Sequence, residues 1–253
     1  MPSIHFMKVV IADSEPLIRD VIARVCTAEL GYTIAAMTAS RHDALAAVRR
    51  HAPDLVLHDL VLNGGDGFDV IRETAGSNHR TLVLSSCVAA YPIWCVSRCN
   101  VHGFMAKEEL DVARLKDAIG RVAGGGQYWS EHYRKIRLQL ITEPFSFVKV
   151  LTNAEMRVLG RVGRGMHDEE IAAQLGISRR TVQTHRTNIS RKLGIHTSTK
   201  LMAYAITCGL DRFSVEQEAT PLAVLPVQSR DGGVASSRST EIRSAKSETT
   251  SKG

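Results

Sequence analysis

The sequence has no run of 18 consecutive apolar residues, so no membrane-spanning helix is expected. Residues 1–6 hold no charged stretch followed by a long apolar core, so a secretory signal is not expected either. The five cysteines, Cys26, Cys87, Cys95, Cys99 and Cys208, are odd in number and form no CxxC pair. Without an export signal they are expected to be reduced thiols, used as small buried or half-buried side chains. Internal repeats are absent. Aromatic residues are absent from residues 214–253, where twelve of the 40 positions are Ser or Thr. Such a tail cannot bury enough apolar area and is expected to be disordered. These absences point to a cytoplasmic protein with no membrane partner.

What is present begins with charge. The chain carries +6 at pH 7, and the whole excess lies in residues 149–213, which hold eleven Lys and Arg against five Asp and Glu. Residues 1–148 are balanced at sixteen of each sign, and residues 214–253 at five of each. One basic segment on an otherwise neutral chain suits a phosphate-binding surface.

Residues 8–123 alternate short apolar runs with helix-like stretches. Strands are expected at Lys8–Ala12, Thr33–Met37, Leu55–Leu57, Thr81–Leu84 and Phe104–Met105, each followed by a helical pattern. Five βα units with short connections imply a parallel sheet covered on both faces, hence a doubly wound α/β fold. Gly124–Gly126 reads as a domain break. Residues 124–148 are expected to be a linker whose Tyr128, Trp129, Phe145 and Phe147 pack partly onto either domain. Residues 149–213 read as a compact all-α domain, and 214–253 as the tail.

Open α/β sheets bind ligands outside the carboxyl ends of their strands. Four of the expected strands end at Asp13, Asp59, Ser85 and Lys107, which would therefore converge. Acids facing a hydroxyl and an amine suit phosphoryl transfer to a carboxylate: one Asp attacks, and a metal and the Lys offset the charge.

The motifs that carry these residues are Val9-Val10-Ile11-Ala12-Asp13-Ser14-Glu15-Pro16, Pro53 to Asp59, Gly65-Asp66-Gly67, Leu84-Ser85-Ser86 and Gly103 to Lys107. Over residues 7–123 the chain resembles the receiver domain of bacterial response regulators, a flavodoxin-like fold. That resemblance implies Asp59 as phosphoacceptor, Asp13 and Asp59 as a Mg2+ site, Ser85 and Lys107 as phosphate partners, and Phe104 in the place of the switch aromatic. Two positions depart from the pattern. Ser14 stands where a second acid commonly ligates the metal, and Asn63 replaces the usual proline after the acceptor loop. Glu15, one residue on, is expected to point elsewhere, so weaker Mg2+ binding is expected.

From Leu151 the pattern turns to pure helix. Thr152 and Glu155 have capping-box spacing; a second helix runs from about Asp168 to Leu175, Gly176 is a turn, and Ser178 caps a third helix. A short helix, a Gly turn and a second helix is the helix-turn-helix pattern. At 100° per residue, Val182, Ile189 and Leu193 face inward. The opposite side carries Arg180, Thr184, Thr187 and Arg191, flanked by Gln183 and Asn188, with no acid. An ordinary solvated face mixes both signs; an acid-free face with amides and hydroxyls suits base edges and phosphates in a major groove. Thr181 and Lys192 complete the expected DNA-binding set. His185 borders the core, where a structural or phosphate-contacting role is expected.

Leu151-Thr152-x-x-Glu155, Glu170-Ile171-Ala172, Ile177-Ser178-x-x-Thr181-Val182-x-x-His185 and Lys192-Leu193-Gly194 resemble the LuxR-type helix-turn-helix. With the receiver, the chain resembles the NarL/FixJ family of response regulators. This implies a DNA-binding transcription regulator whose Asp59 is phosphorylated by a sensor histidine kinase. It implies Gln183, Thr184 and Thr187 as base readers, a homodimer formed through about Thr197–Cys208, and double-stranded DNA as partner. It also implies a receiver that covers the third helix in the inactive state. The alternatives are a receiver that works without phosphorylation because of Ser14, a sensor of a small diffusible signal, and an aspartate-nucleophile phosphatase. The sensor would need a larger ligand domain; the phosphatase would need an acid where Val61 stands.

Overall fold

The computed structural model describes residues 7–213. The expected disordered tail, 214–253, lies outside the described residues.

Strand β1 (Lys8–Ala12) sits between β2 (Thr33–Thr38) and β3 (Leu55–His58), and β6 (Arg80–Ser85) and β7 (Gly103–Ala106) follow on the β3 side. All these neighbours pair in parallel, with Ile11 opposite Leu57 and Leu57 opposite Leu82. Central parallel strands are covered on both faces, which explains the unbroken apolar runs: β3 is buried throughout. On one face Ile11, Leu57 and Leu84 pack against α1 (Pro16–Arg24) and α5 (Val112–Ala123) through Ile22, Leu115 and Ile119. The other face carries α2 (Arg41–His51), α3 (Gly67–Glu73) and α4 (Ala90–Val96). The chain leaves β1 to one side for β2 and returns on the other for β3. The strand ends of β1 and β3 therefore flank the crevice where the topology switches. A two-residue hairpin, β4 (Val61–Leu62) with β5 (Gly65–Asp66), follows Asp59.

The stretch expected to be a linker is itself folded. Strand β8 (Tyr128–Trp129) adds a sixth parallel strand beside β7, and α6 (Glu131–Thr142) lies against α4 and β7. Tyr133 of α6 is buried between Trp129, at a ring distance of 4.6 Å, and Phe104, at 5.4 Å. A two-residue strand is too short to show a period, which is why sequence patterning misses it.

A short turn of helix, α7 (Phe147–Val150), leads into α8 (Asn153–Gly163), α9 (Asp168–Leu175), α10 (Arg179–Leu193) and α11 (Ser198–Thr207). The expected capping box at Thr152 and Glu155 is formed, and Ser178 accepts from the Thr181 amide to cap α10. Gly176 ends α9 at φ +65, a left-handed conformation that favours glycine. Val182 and Ile189 are the inward positions of α10, as its phase required. One continuous apolar cluster runs from Leu60, Phe68 and Tyr91 of the sheet domain through Tyr133 and Leu140 of α6 to Phe147, Leu159, Leu210 and Phe213.

Candidate functional site

Two sites emerge. The first lies at the carboxyl edge of the sheet. Asp13 follows β1, Asp59 follows β3, Ser85 ends β6 and Lys107 follows β7. The Lys107 ammonium stands 2.7 Å from Asp59 Oδ2 and 2.8 Å from Asp13 Oδ2. Ser85 Oγ donates to Asp59 Oδ1 at 2.5 Å, and the Val61 amide donates to the same oxygen at 3.2 Å. Asp13, Asp59 and Ser85 are buried. Burial pushes the Asp13 carboxyl above its usual range, against the opposing pull of Lys107. Burial alone would lower the lysine's pKa, but its bonds to Asp13, Asp59 and Glu15 hold it above the usual range.

Glu15 corrects the expectation drawn from its position. It does not point away: its Oε1 lies 2.8 Å from Lys107 Nζ. One oxygen each from Asp13, Glu15 and Asp59 fall within 4.8 Å of one another. The reason is local. The chain has already left β1, and the Glu15 amide donates to Asp13 Oδ1 at 2.9 Å, which turns the backbone back across the strand end. Strand alternation therefore does not apply to Glu15. Ser14, in the place of the usual acid, gives its hydroxyl to the Val61 carbonyl at 3.3 Å. An all-oxygen set of three carboxylates facing one ammonium keeps excess negative charge and fits a hard divalent cation such as Mg2+. Phe104 is fully buried under Tyr133.

The second site is the outer face of α10. Arg180, Gln183, Thr184, Thr187 and Arg191 are exposed, and Asn188 and His185 are half-buried. The sheet domain does not cover these exposed positions. The Thr184 and Thr187 hydroxyls donate to Arg180 and Gln183 carbonyls at 3.0 Å each. Two expected members are engaged elsewhere. Thr181 Oγ1 lies 2.8 Å from the capping Ser178 hydroxyl. Lys192 Nζ lies 2.6 Å from the buried Glu155 Oε2, so its charge serves the α8 cap rather than the outer face. That bond and those from Thr152 hold the Glu155 pKa below its usual value although burial pushes it up. A cleft of about 440 Å³ at the far end of α10 is lined by Arg186, Thr187, Ser190, Arg191, Gly194 and His196. Arg186 and His196 were not singled out in the sequence; their basic chemistry was the available signal.

Residues 9–119 match the response regulator receiver domain, and residues 149–205 match the bacterial regulatory proteins of the luxR family. Among curated relatives, the nitrate/nitrite response regulator protein homolog of Haemophilus influenzae is 28% identical over 192 residues, spanning 75% of this chain and 91% of the relative. The fimbriae Z protein of Salmonella typhimurium is 29% identical over 200 residues, spanning 78% and 95%. The nitrate/nitrite response regulator protein NarP of Escherichia coli is 28% identical over 202 residues, spanning 77% and 92%. Among solved structures, RcsB from Salmonella enterica serovar Typhimurium, bound to promoter rprA in the presence of phosphomimetic BeF3-, superposes with a TM-score of 0.57 at 19% identity, covering 80% of this chain and 99% of that one. At that identity the likeness speaks for the fold. With both domain types present in the expected order and relatives aligned across both, the chain belongs to the NarL/FixJ family of two-component response regulators.

Proposed function

We propose that this regulator is switched by phosphorylation of Asp59 by a sensor histidine kinase. The observation that carries the reading is that both carboxylate oxygens of Asp59 are already gripped by the groups a phosphoryl needs: Oδ2 by Lys107 at 2.7 Å and Oδ1 by Ser85 at 2.5 Å. A carboxylate oxygen of Asp59 attacks the phosphorus of the kinase's phosphohistidine. The P–O bond forms as the P–N bond breaks, and the imidazole leaves with the electron pair and takes up a proton. Lys107 pairs with a phosphoryl oxygen, and the Ser85 hydroxyl donates to another.

Asp13, Asp59 and Glu15 would hold Mg2+, which when bound neutralises charge developing on the transferred group. Glu15 supplies the third carboxylate that Ser14 cannot, and this removes the motive for a receiver that works without phosphate. The enzyme alternative fares no better: the position two after Asp59 is Val61, exposed and without acid chemistry.

The α10 face is read as the major-groove element. Gln183, Thr184 and Thr187 face base edges, Arg180 and Arg191 meet phosphates, and His196 extends this surface, whereas Arg186 is paired with Asp168 at 3.5 Å. Relatives of this architecture include structures described as RcsB dimers bound to DNA; by likeness, a homodimer on inverted half-sites is proposed here, with α11 at the interface. Phosphotransfer from a small-molecule donor tests the switch. Wild type should gain one phosphoryl group and Asp59→Asn none; equal mass in both overturns the reading.

A further inference from the structure

A cavity of about 290 Å³ opens where α4, α6 and α11 meet. Its walls are apolar: Ile136 and Leu140 of α6 and Phe147 at the start of α7 line it. Tyr204 of α11, half-buried, lines the opposite side. Phe145 also lines it and is 79% exposed, more than any other large apolar side chain among the described residues. Two polar groups interrupt this lining, and neither is used within the protein. Ser146 holds the N-cap position of α7, yet its hydroxyl makes no capping bond. The residue is 6% exposed, and its Oγ is buried without a hydrogen-bond partner. A buried hydroxyl left unpaired is costly, so it marks a place for a partner from outside the chain. Glu143 is exposed and lines the same cavity; among the described residues its carboxylate has no hydrogen bond and no ion pair. Lys149 does not pair with it: that ammonium bonds the Ile141 and Glu143 backbone carbonyls, at 2.5 and 3.0 Å. The Ser146 amide donates to the Glu143 carbonyl at 3.4 Å, so both side chains leave one turn.

This lining selects a class of ligand. One unpaired acid with no cation beside it in the lining disfavours anions. Apolar walls disfavour a bare hydrated ion, which would lose its water without replacement. The volume lies at the lower edge of the range ligand sites occupy, about 300–1,000 Å³, and admits only a small molecule. We propose that the cavity binds a small arylalkyl amine, whose ring lies against Leu140 and Phe147 and whose ammonium bonds the Glu143 carboxylate and Ser146 Oγ. The rings of Phe145 and Tyr204 favour a cation at the same place. Burial pushes the Tyr204 phenol above its usual range, with smaller contributions from Cys208 and from the Glu143 charge, in keeping with a carboxylate on the cavity side. Ala90 of α4, with α6 and α11, lines the cavity, so an occupant touches the receiver side and the helix-turn-helix side at once. The site shares no residue with the Asp59 site or the α10 face and depends on neither reading.

Calorimetric titration of the full chain with phenethylamine tests this. One saturable site with a dissociation constant of about 1 mM or below is expected. Hydrocinnamate, which carries the same ring on a short chain ending in an acid, should not bind. Glu143→Gln, at an exposed position that leaves folding alone, should weaken the amine roughly tenfold, and Ser146→Ala about fivefold. Bound amine should slow hydrogen exchange within 136–147 and 204–208 in wild type, which locates the site independently of the affinity. No saturation at about 10 mM amine, equal binding of hydrocinnamate, or an affinity unchanged by Glu143→Gln would each overturn the proposal.

Discussion

Phe213, at the end of the helix-turn-helix domain, packs edge-on against Phe68 of the receiver, their centroids 5.4 Å apart and their planes at 80°. Both rings are buried within the one apolar cluster that crosses from receiver to DNA-binding domain. Removing either ring from such a site costs about 3–5 kcal/mol. Phe68→Ala, a receiver substitution, should therefore weaken hydrogen-exchange protection in α8 and α11 as well as in α3. Loss confined to α3 would mean the domains are energetically separate.

Glu15→Gln should weaken divalent-ion binding about tenfold, equivalent to about 1.4 kcal/mol, because it removes one of three carboxylates around Lys107. Titration with Mn2+, following free ion by electron paramagnetic resonance, checks this without any phosphotransfer. Unchanged affinity would return the metal site to Asp13 and Asp59 alone. Ser14→Asp, which adds an acid, should tighten binding in the same titration.

Lys192 and Arg191 are neighbours in sequence, both expected on the DNA-binding face, but the structure places them differently. Lys192 pairs with buried Glu155 at 2.6 Å, whereas Arg191 is exposed on the outer face. Lys192→Met strands the Glu155 charge and should lower the unfolding free energy of the domain by about 2 kcal/mol, less than for a fully buried pair because the lysine keeps some water. Arg191→Ala should leave stability alone and reduce the slope of log affinity for duplex DNA against log salt by about one. Urea melts and DNA titrations at several salt concentrations separate the two.

His79 is buried, and burial, with smaller contributions from the charges of His58 and His102, lowers its pKa from 6.5 to about 4. The folded protein thus refuses a proton that the unfolded chain accepts between these values. Its contribution to stability is complete above pH 6.5 and lost as pH falls towards 4, worth up to about 3 kcal/mol. His79→Gln should flatten the acid limb of stability against pH. An unchanged slope between pH 6.5 and 4.5 would place the acid sensitivity elsewhere.

Much of this was legible in the sequence because two simple periods governed it. Unbroken apolar strands and the strand-end rule brought Asp13, Asp59, Ser85 and Lys107 together from four places in the chain. The 100° phase of α10 correctly turned Val182 and Ile189 inward. What escaped depended on contacts that no period encodes. Glu15 reaches the acidic site because an Asp13 side chain turns the backbone after β1. Tyr128 and Trp129 join the sheet as two residues only, and Tyr133 then locks Phe104 in place. Lys192 lies near the edge of the basic face, and only the position of buried Glu155 decides where its charge goes.

The central claim is that phosphate on Asp59 controls how this chain engages DNA. Selection of bound duplexes from a random pool, with and without a small-molecule phosphodonor, on wild type and Asp59→Asn at one fixed salt, tests it most directly. The expected result is enrichment of paired inverted half-sites that strengthens with donor in wild type and not in the variant. Identical enrichment with and without donor, on protein whose Asp59 carries the phosphoryl group, would contradict the claim.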